Sequence, residues 1–328
     1  MANSAAEKLR LFYAQFTGED KVLVMINADP DAIACAMAVK RLLWRKVASV
    51  KIASINVINR PDNIAMIRLL GIKIEHIDDV CRENFTKSVV VDSQPDHDEC
   101  FSMCRPNVII DHHPETCAVA DYCDIRPKYG AAASILTEYL RAAKIKPSAK
   151  LATALFFAIK TDTSDFERNA VPEDIRAFQF LFRHANVHLA RRIDQAELQP
   201  EYLDDFQLAL LRRVKRRDRL FVNLSRVSTP DVLVLVADFF MRVNNVTWTV
   251  VAGICDEKLI VIFRNDGLRK DAGKVASQSF GKLGSAGGHK SMARAEVPLD
   301  NLTEVNFNDY RKLQRWIINQ VERQAGKK

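Results

Sequence analysis

Acidic residues stand at the ends of apolar, strand-like runs, where a buried sheet would not otherwise want a charge. Asp29 and Asp31 follow KVLVMIN (21–27), Asp92 ends SVVVD (88–92), and Asp111, His112 and His113 end NVIIDHH (107–113). Asp162 follows the apolar stretch AKLATALFFAIKT (149–161). One such Asp is commonly a helix cap or a turn former, but four separate acidic or histidine clusters exceed what capping explains. In open α/β sheets, ligands bind at the carboxyl ends of the strands, and like charges gathered there need a cation to neutralise them. An Asp-rich set with one or two histidines suits a hard or borderline divalent ion, Mn²⁺ or Mg²⁺ ahead of Zn²⁺. With four carboxylates and a histidine available, a two-metal site is feasible; it would activate water and clamp phosphoryl oxygens during in-line displacement.

The elements that must hold these groups follow from periodicity. Continuous apolar runs at 21–27, 49–56, 72–77, 88–92 and 107–113 predict strands covered on both faces. An apolar face at helical spacing over 32–46, and a second helical stretch over 61–70, alternate with them. The expected fold class is therefore α/β, with an N-terminal, mostly parallel sheet and helices on both faces. Helical periodicity takes over at 131–143, 149–160, 172–182 and 200–214. RLFVNLS (219–225), DVLVLVAD (231–238), TWTVVAGI (247–254) and KLIVIFRN (258–265) then read as four strands, with helices over 271–281 and 306–325 completing a smaller C-terminal α/β domain. The expected division is a catalytic domain over 1–195, a helical basic linker over 196–219 and a second domain over 220–328.

Composition bounds the class. The 328 residues are 48% apolar and 27% charged, a globular balance that argues against disordered, collagenous or disulfide-scaffold proteins. No apolar run reaches the length of a membrane span; VLVLVADFF (232–240) comes nearest and is broken by Asp238. The N-terminal stretch carries Glu7, Lys8 and Arg10 and lacks a signal-peptide core, so a cytoplasmic protein with no membrane partner is expected. The formal charge of +7 favours anionic partners, and RRVKRRDR (212–219) concentrates six basic residues as either a solvated helix end or a phosphate-binding surface. Seven scattered cysteines are read as reduced thiols, in preference to a zinc site from Cys100, Cys104, Cys117 and Cys123 whose spacing fits no common pattern.

NADPDAIACA (27–36), VVVDSQP (89–95), DHHP (111–114) and AIKTDTSDF (158–166) resemble motifs I to IV of the DHH phosphoesterases, and GSAGGHKSMA (284–293) resembles the glycine-rich signature of their C-terminal DHHA1 domain. Five motifs in order cover nearly the whole chain. The overall length is close to the branch of nanoRNases, 3′-phosphoadenosine-5′-phosphate phosphatases and cyclic-dinucleotide phosphodiesterases. The resemblance implies that Asp92 bridges two metals, that Asp29 binds the first, and that Asp31, His112 and Asp162 bind the second, with two Mn²⁺ expected and Mg²⁺ an alternative. It implies that His113 contacts the scissile phosphate and that Asp111 orients the histidine pair. Many relatives carry a histidine where this chain has Met25; a thioether is a poor ligand for Mn²⁺ or Mg²⁺, so the first metal is expected either to rest on Asp29, Asp92 and water, with Asn27 as a further candidate, or to bind weakly or only once substrate phosphate arrives.

The glycine-rich segment and one arginine are the candidate substrate-binding groups. Gly287 and Gly288 would let backbone N–H groups approach a phosphate, His289 and Lys290 would add donors, and Arg264 resembles the arginine that holds substrate phosphate or a terminal base. Ala286 stands where the family usually has a first glycine. His76, His97, His184 and His188 show no partner pattern and are read as surface or packing residues. Phe239, Phe240 and Trp248 fit core positions better than base stacking. The expected protein hydrolyses short oligonucleotides or nucleotides in a cleft between the two domains. Alternatives are a phosphoanhydride hydrolase of the pyrophosphatase or exopolyphosphatase kind, and a nucleotide-binding regulator whose first metal site has decayed at Met25. A homodimer is the assembly the resemblance implies.

Overall fold

The computed structural model describes residues 4–102, 105–116, 119–167, 170–195, 200–303 and 305–325. The chain divides into two compact units, Met1–Glu197 and Leu198–Lys328.

Unit 1 begins with α1 (Ala5–Tyr13), capped by Ser4, and enters the sheet at β1 (Lys21–Ile26). There follow α2 (Pro30–Leu42), β2 (Ser49–Ser54), α3 (Pro61–Leu70), β3 (Glu75–His76), β4 (Lys87–Val91), the short α4 (Glu99–Ser102), β5 (Val108–Asp111) and β6 (Tyr122–Ile125). Four helices close the unit: α5 (Ala132–Ala142), α6 (Ala149–Asp162), α7 (Pro172–Phe182) and α8 (Val187–Asp194). The six strands lie in the order β3-β2-β1-β4-β5-β6, every pair parallel. Alternation along β1 sorts its side chains. Val22, Val24 and Ile26 join the helical layer with Ile33, Val39, Leu136 and Leu155. Leu23 and Met25 turn to the other face, where Val90, Ile109, Ile77, Val80 and Phe101 cover them. Both faces are thus covered, by unequal layers.

Unit 2 comprises α9 (Tyr202–Arg212), β7 (Val214–Arg216), β8 (Arg219–Arg226), α10 (Asp231–Phe240), β9 (Trp248–Cys255), β10 (Lys258–Asn265), α11 (Ala272–Phe280), β11 (Ser285–Gly288), β12 (Met292–Pro298) and α12 (Tyr310–Ala325). Its sheet runs β11-β12-β10-β9-β8-β7, antiparallel except for the parallel β8/β9 pair. Among the described residues no helix is long and apolar enough to cross a membrane.

Two sequence expectations are corrected. DVLVLVAD is helix α10, not a strand: its buried residues, Val232, Leu233, Val236, Ala237 and Phe240, recur at helical spacing, while Asp238 and Phe239 face solvent. The β-branched valines mimic a strand, but tertiary packing decides. The basic run is not a helical linker throughout. The helix stops at Arg212, and 214–216 pair antiparallel with 219–221, so the charges decorate a β-hairpin. The strands β6, β11 and β12 lie beyond the sequence expectations, being short or rich in small and charged residues.

The helical phase of α10 is checked by paired truncations. Phe240→Ala should cost about 3–5 kcal/mol in urea unfolding, and Phe239→Ala only a fraction of that. The reverse order would contradict this helical phase.

Candidate active site

The chain leaves β1 to one side for β2 and returns to its other side with β4, so the winding direction switches between β1 and β4. A crevice opens at the carboxyl ends of strands at such a point, and the acidic residues sit there. Asp29 caps α2, its Oδ1 accepting from Ala32 N at 2.9 Å. Asp31, in the first turn of α2, accepts from Ala132 N (2.6 Å) and Ala133 N (2.9 Å), so its charge lies against the amino end of α5. The loop carrying both is held by Asn56, which accepts from Ala28 N at 2.6 Å and donates to Ala28 O, and by Asn63, which donates to the same carbonyl at 3.0 Å. Asp92 follows β4 in the left-handed region, φ 56°, a costly conformation for a non-glycine residue. Asp162 ends α6, and Ser164, Asp165 and Phe166 after it all have positive φ.

These elements converge on His112. Its Nε2 lies 3.1 Å from Asp162 Oδ2 and 3.3 Å from Asp92 Oδ1. Its Nδ1 lies 3.1 Å from the carbonyl of Tyr129, which can only accept, so Nδ1 carries the proton and Nε2 is presented to the carboxylates. Tyr129 is itself anchored, its hydroxyl held by Glu138 and Arg126, while Arg126 forks onto Asp124 and Lys8 of α1 closes the network at 2.6 Å. His113 Nδ1 lies 2.8 Å from Asp111 Oδ1. Asp111 is fully buried and also accepts from Gln94 Nε2 (2.7 Å) and His112 N (2.8 Å).

The residues present fit a divalent cation. Asp31, His112 and Asp162 form one group whose ligating atoms lie within 4.8 Å of one another, and Asp92, His112 and His113 form another. Asp29 stands outside both groups. Burial, and then the charge of Asp162, pushes Asp31 up to about 7; burial and the charges of Asp31 and Asp29 push Asp92 well above the usual carboxylate range. Asp29 rises for the same reasons, burial first and Asp162 next. Burial alone would lower His112, but the carboxylates of Asp162 and Asp92 beside its Nε2 outweigh it and push it up to about 12. Asp92 Oδ1 is buried and accepts no well-formed hydrogen bond. Carboxylates so short of counter-charge and donors are what a bound cation relieves.

Other sequence candidates are placed as follows. Met25 is fully buried in the apolar cluster of the second sheet face, and Asn27 is exposed. In unit 2, Arg264, Gly287, Gly288 and His289 border a cavity of about 470 Å³ that Arg294 and Glu296 also line, while Lys290 is exposed and outside that lining. Arg264 Nε donates to Asp238 Oδ1 at 2.7 Å. The two glycines differ. A Cβ on Gly288 (φ 147°) would meet Met292 O at 2.5 Å, whereas one on Gly287 would meet nothing; the backbone needs glycine at 288 to close the β11/β12 hairpin. Trp248 and Phe240 are buried, while Phe239 is exposed and packs edge-on against Phe206. Cys100 and Cys123 are unbridged; Cys104 and Cys117 lie outside the described residues. Gln94, Tyr129 and Asn56 escape a sequence reading, since their importance lies in contacts to distant backbone. His97, read from sequence as a surface or packing residue, lies beside the site: its ring centroid is 5.4 Å from that of His113.

Residues 21–159 match the DHH family, N-terminal domain. Over 298 residues the chain is 35% identical to an uncharacterized protein of Methanocaldococcus jannaschii, covering 89% of this chain and 62% of that protein. The chain thus spans less than two-thirds of that relative's length. Among solved structures, an exopolyphosphatase-related protein from Bacteroides fragilis superposes with a TM-score of 0.75 at 14% identity, covering 97% of both chains. RecJ from Thermus thermophilus, solved with Mn²⁺, superposes with a TM-score of 0.54 at 12% identity, over 97% of this chain and 55% of RecJ. At these identities the structures show the fold alone. The match to the N-terminal domain of the DHH family thus covers most of unit 1, and the second sheet unit accords with the C-terminal domain that the sequence motifs imply.

The electrostatics have a measurable consequence. Asp31 is raised from about 3.8 to about 7, so between those values the folded, metal-free chain binds a proton the unfolded chain does not. Its stability therefore falls as pH rises through that window. A divalent cation takes the proton's place, so its increment in Tm should be larger near about pH 7.5 than near about pH 5.5. Asp92→Asn should raise the metal-free Tm and remove most of that increment. An increment independent of pH would count against the site.

Proposed function

We propose that the chain is a divalent-metal-dependent phosphoester hydrolase of short oligonucleotides or nucleotides. The single observation that carries the reading is the convergence of Asp31, Asp92, Asp162 and His112 within the β1/β4 crevice, with buried charge in excess of its protein partners. Asp31, Asp162 and His112 are assigned to one metal, Asp29 and Asp92 to the other, with Asp92 shared. Held by these residues, a metal pair would supply a water of lowered pKa and offset charge on the phosphoryl oxygens. Mn²⁺ is the first ion to test, given the oxygen-rich ligand set and its presence in the RecJ structure.

The chain's own groups supply the rest. Tyr129 O and the Nδ1–H of His112 fix the direction of the Nε2 lone pair. Asp111 accepts from His113 Nδ1–H and fixes the ring, so that the imidazolium form aims an Nε2–H donor at a phosphate oxygen. Gln94, saturated by Asp111, Pro114 and Thr116, ties the loop after β4 to the loop after β5, so the two halves of the crevice keep one spacing. In unit 2, Arg264, His289 and Arg294 around an open pocket are assigned to substrate recognition, as donors to phosphate or a stacking surface for a base.

A phosphoanhydride hydrolase is the second reading, favoured by the exopolyphosphatase-related neighbour. The buried, non-ligating Met25 favours a third, a binding protein without turnover. Release of mononucleotide from a 5′-phosphorylated RNA dinucleotide, with and without Mn²⁺, separates them when polyphosphate is run in parallel. We expect metal-dependent turnover of the dinucleotide, reduced on the order of 10³-fold or more in Asp92→Ala. Turnover of polyphosphate alone would select the second reading, and dinucleotide binding without turnover the third.

A further inference from the structure

The geometry points to His97 as a further substrate contact, donating a hydrogen bond from Nε2 to a phosphate oxygen beside His113. This inference rests on the phosphoester reading above. His97 closes the 3₁₀ turn Pro95–His97, five residues beyond Asp92. Its ring is exposed and stands edge-on to His113, centroids 5.4 Å apart and planes at 82°.

Two observations fix how this imidazole is presented. Its Nδ1 accepts from the backbone N–H of Gln94 at 3.3 Å and lies 3.1 Å from Ser93 Oγ. A backbone N–H can only donate, so Nδ1 is the acceptor and Nε2 carries the hydrogen. The placement beside His113 is also built in. The fully buried Gln94 at the start of the turn spends its side chain on Asp111, Pro114 and Thr116, which clamps the His97 turn to the segment bearing His113. A donor held on a rigid turn loses little freedom on binding.

A ligating atom of His97 also lies within 4.8 Å of those of Asp111 and His113, so a third cation is the competing assignment. The hydrogen bonds argue against it. Asp111 already accepts from Gln94 Nε2, His112 N and His113 Nδ1 and is fully buried. A cation there would have to displace donors that a carboxylate of this kind needs.

The test uses His97→Gln, because glutamine at the third position of a capped turn can still accept from the Gln94 N–H while lacking the imidazole Nε2. Calorimetric titration of a phosphorothioate-linked, 5′-phosphorylated RNA dinucleotide against the full chain reads the contact without requiring turnover. We expect His97→Gln and His97→Ala to weaken binding alike, by about tenfold, with bound metal as in the wild type, and with Tm unchanged in His97→Gln but lowered in His97→Ala by the lost cap. Binding unchanged in His97→Gln would overturn the inference and leave His97 a turn cap. Loss of bound metal in His97→Gln would overturn it in favour of a ligand role. The phosphoester reading fails on a different result, the absence of metal-dependent turnover by the wild-type chain.

Discussion

Mutual repulsion among carboxylates at the β1/β4 switch point is the constraint on which the rest of unit 1 depends. Asp29, Asp31 and Asp92 are each raised by burial and by other carboxylates of the same crevice. Left alone, such a cluster would drive its strands apart or fill with protons. The scaffold holds it by giving Asp29 and Asp31 backbone donors, but not enough to neutralise the cluster. Ala32 N serves Asp29, and Ala132 N and Ala133 N serve Asp31. The site is therefore destabilised locally and supported globally, by an apolar layer that includes α2, α5 and α6. That is the usual thermodynamic position of a metal centre awaiting its ion.

Support for the histidines travels outward in a chain of named contacts. Tyr129 O orients His112; Arg126 and Glu138 fix Tyr129; Asp124 receives Arg126, Lys8 and the hydroxyl of Tyr139. Burial would raise Asp124, but Arg126 and Lys8 hold it below the usual carboxylate range. This second buried charge cluster differs from the first in being neutralised within the protein. One family of carboxylates is satisfied by side chains and serves as scaffold. The other is left short of partners in the crevice where the candidate site lies.

Much of this was legible in the sequence, and the limits have physical causes. An Asp after an apolar strand is visible because charge and burial conflict within a few residues, which exposed Asp29, Asp31, Asp92, His112 and Asp162. The parallel sheet was visible because its strands read as unbroken apolar runs. Gln94 and His97 were not, because their significance comes from contacts to residues 111–116, and no local pattern encodes a non-local partner. Helix α10 reads as a strand because Val232, Val234 and Val236 alternate, while the helical set Val232, Leu233, Val236, Ala237 and Phe240 spans too short a window to outweigh that pattern. The unequal roles of Gly287 and Gly288 were likewise hidden, since identical residues differ only in what their missing Cβ would meet.

The strand order has a consequence for how the chain matures. In unit 2, β9 and β10 meet through a tight hairpin at Cys255 and Lys258, so that pairing forms early and locally. In unit 1, Val22 of β1 must wait for Lys87 of β4, with α2, β2, α3 and β3 threaded in between. Asp29 and Asp92 are strangers until that insertion is complete. A chain with its strands misordered would keep its helices and much of its apolar burial yet offer no home to a divalent ion. Divalent-ion affinity at this crevice is thus expected to report topology, since Asp29 and Asp92 come together only once β4 has paired with β1.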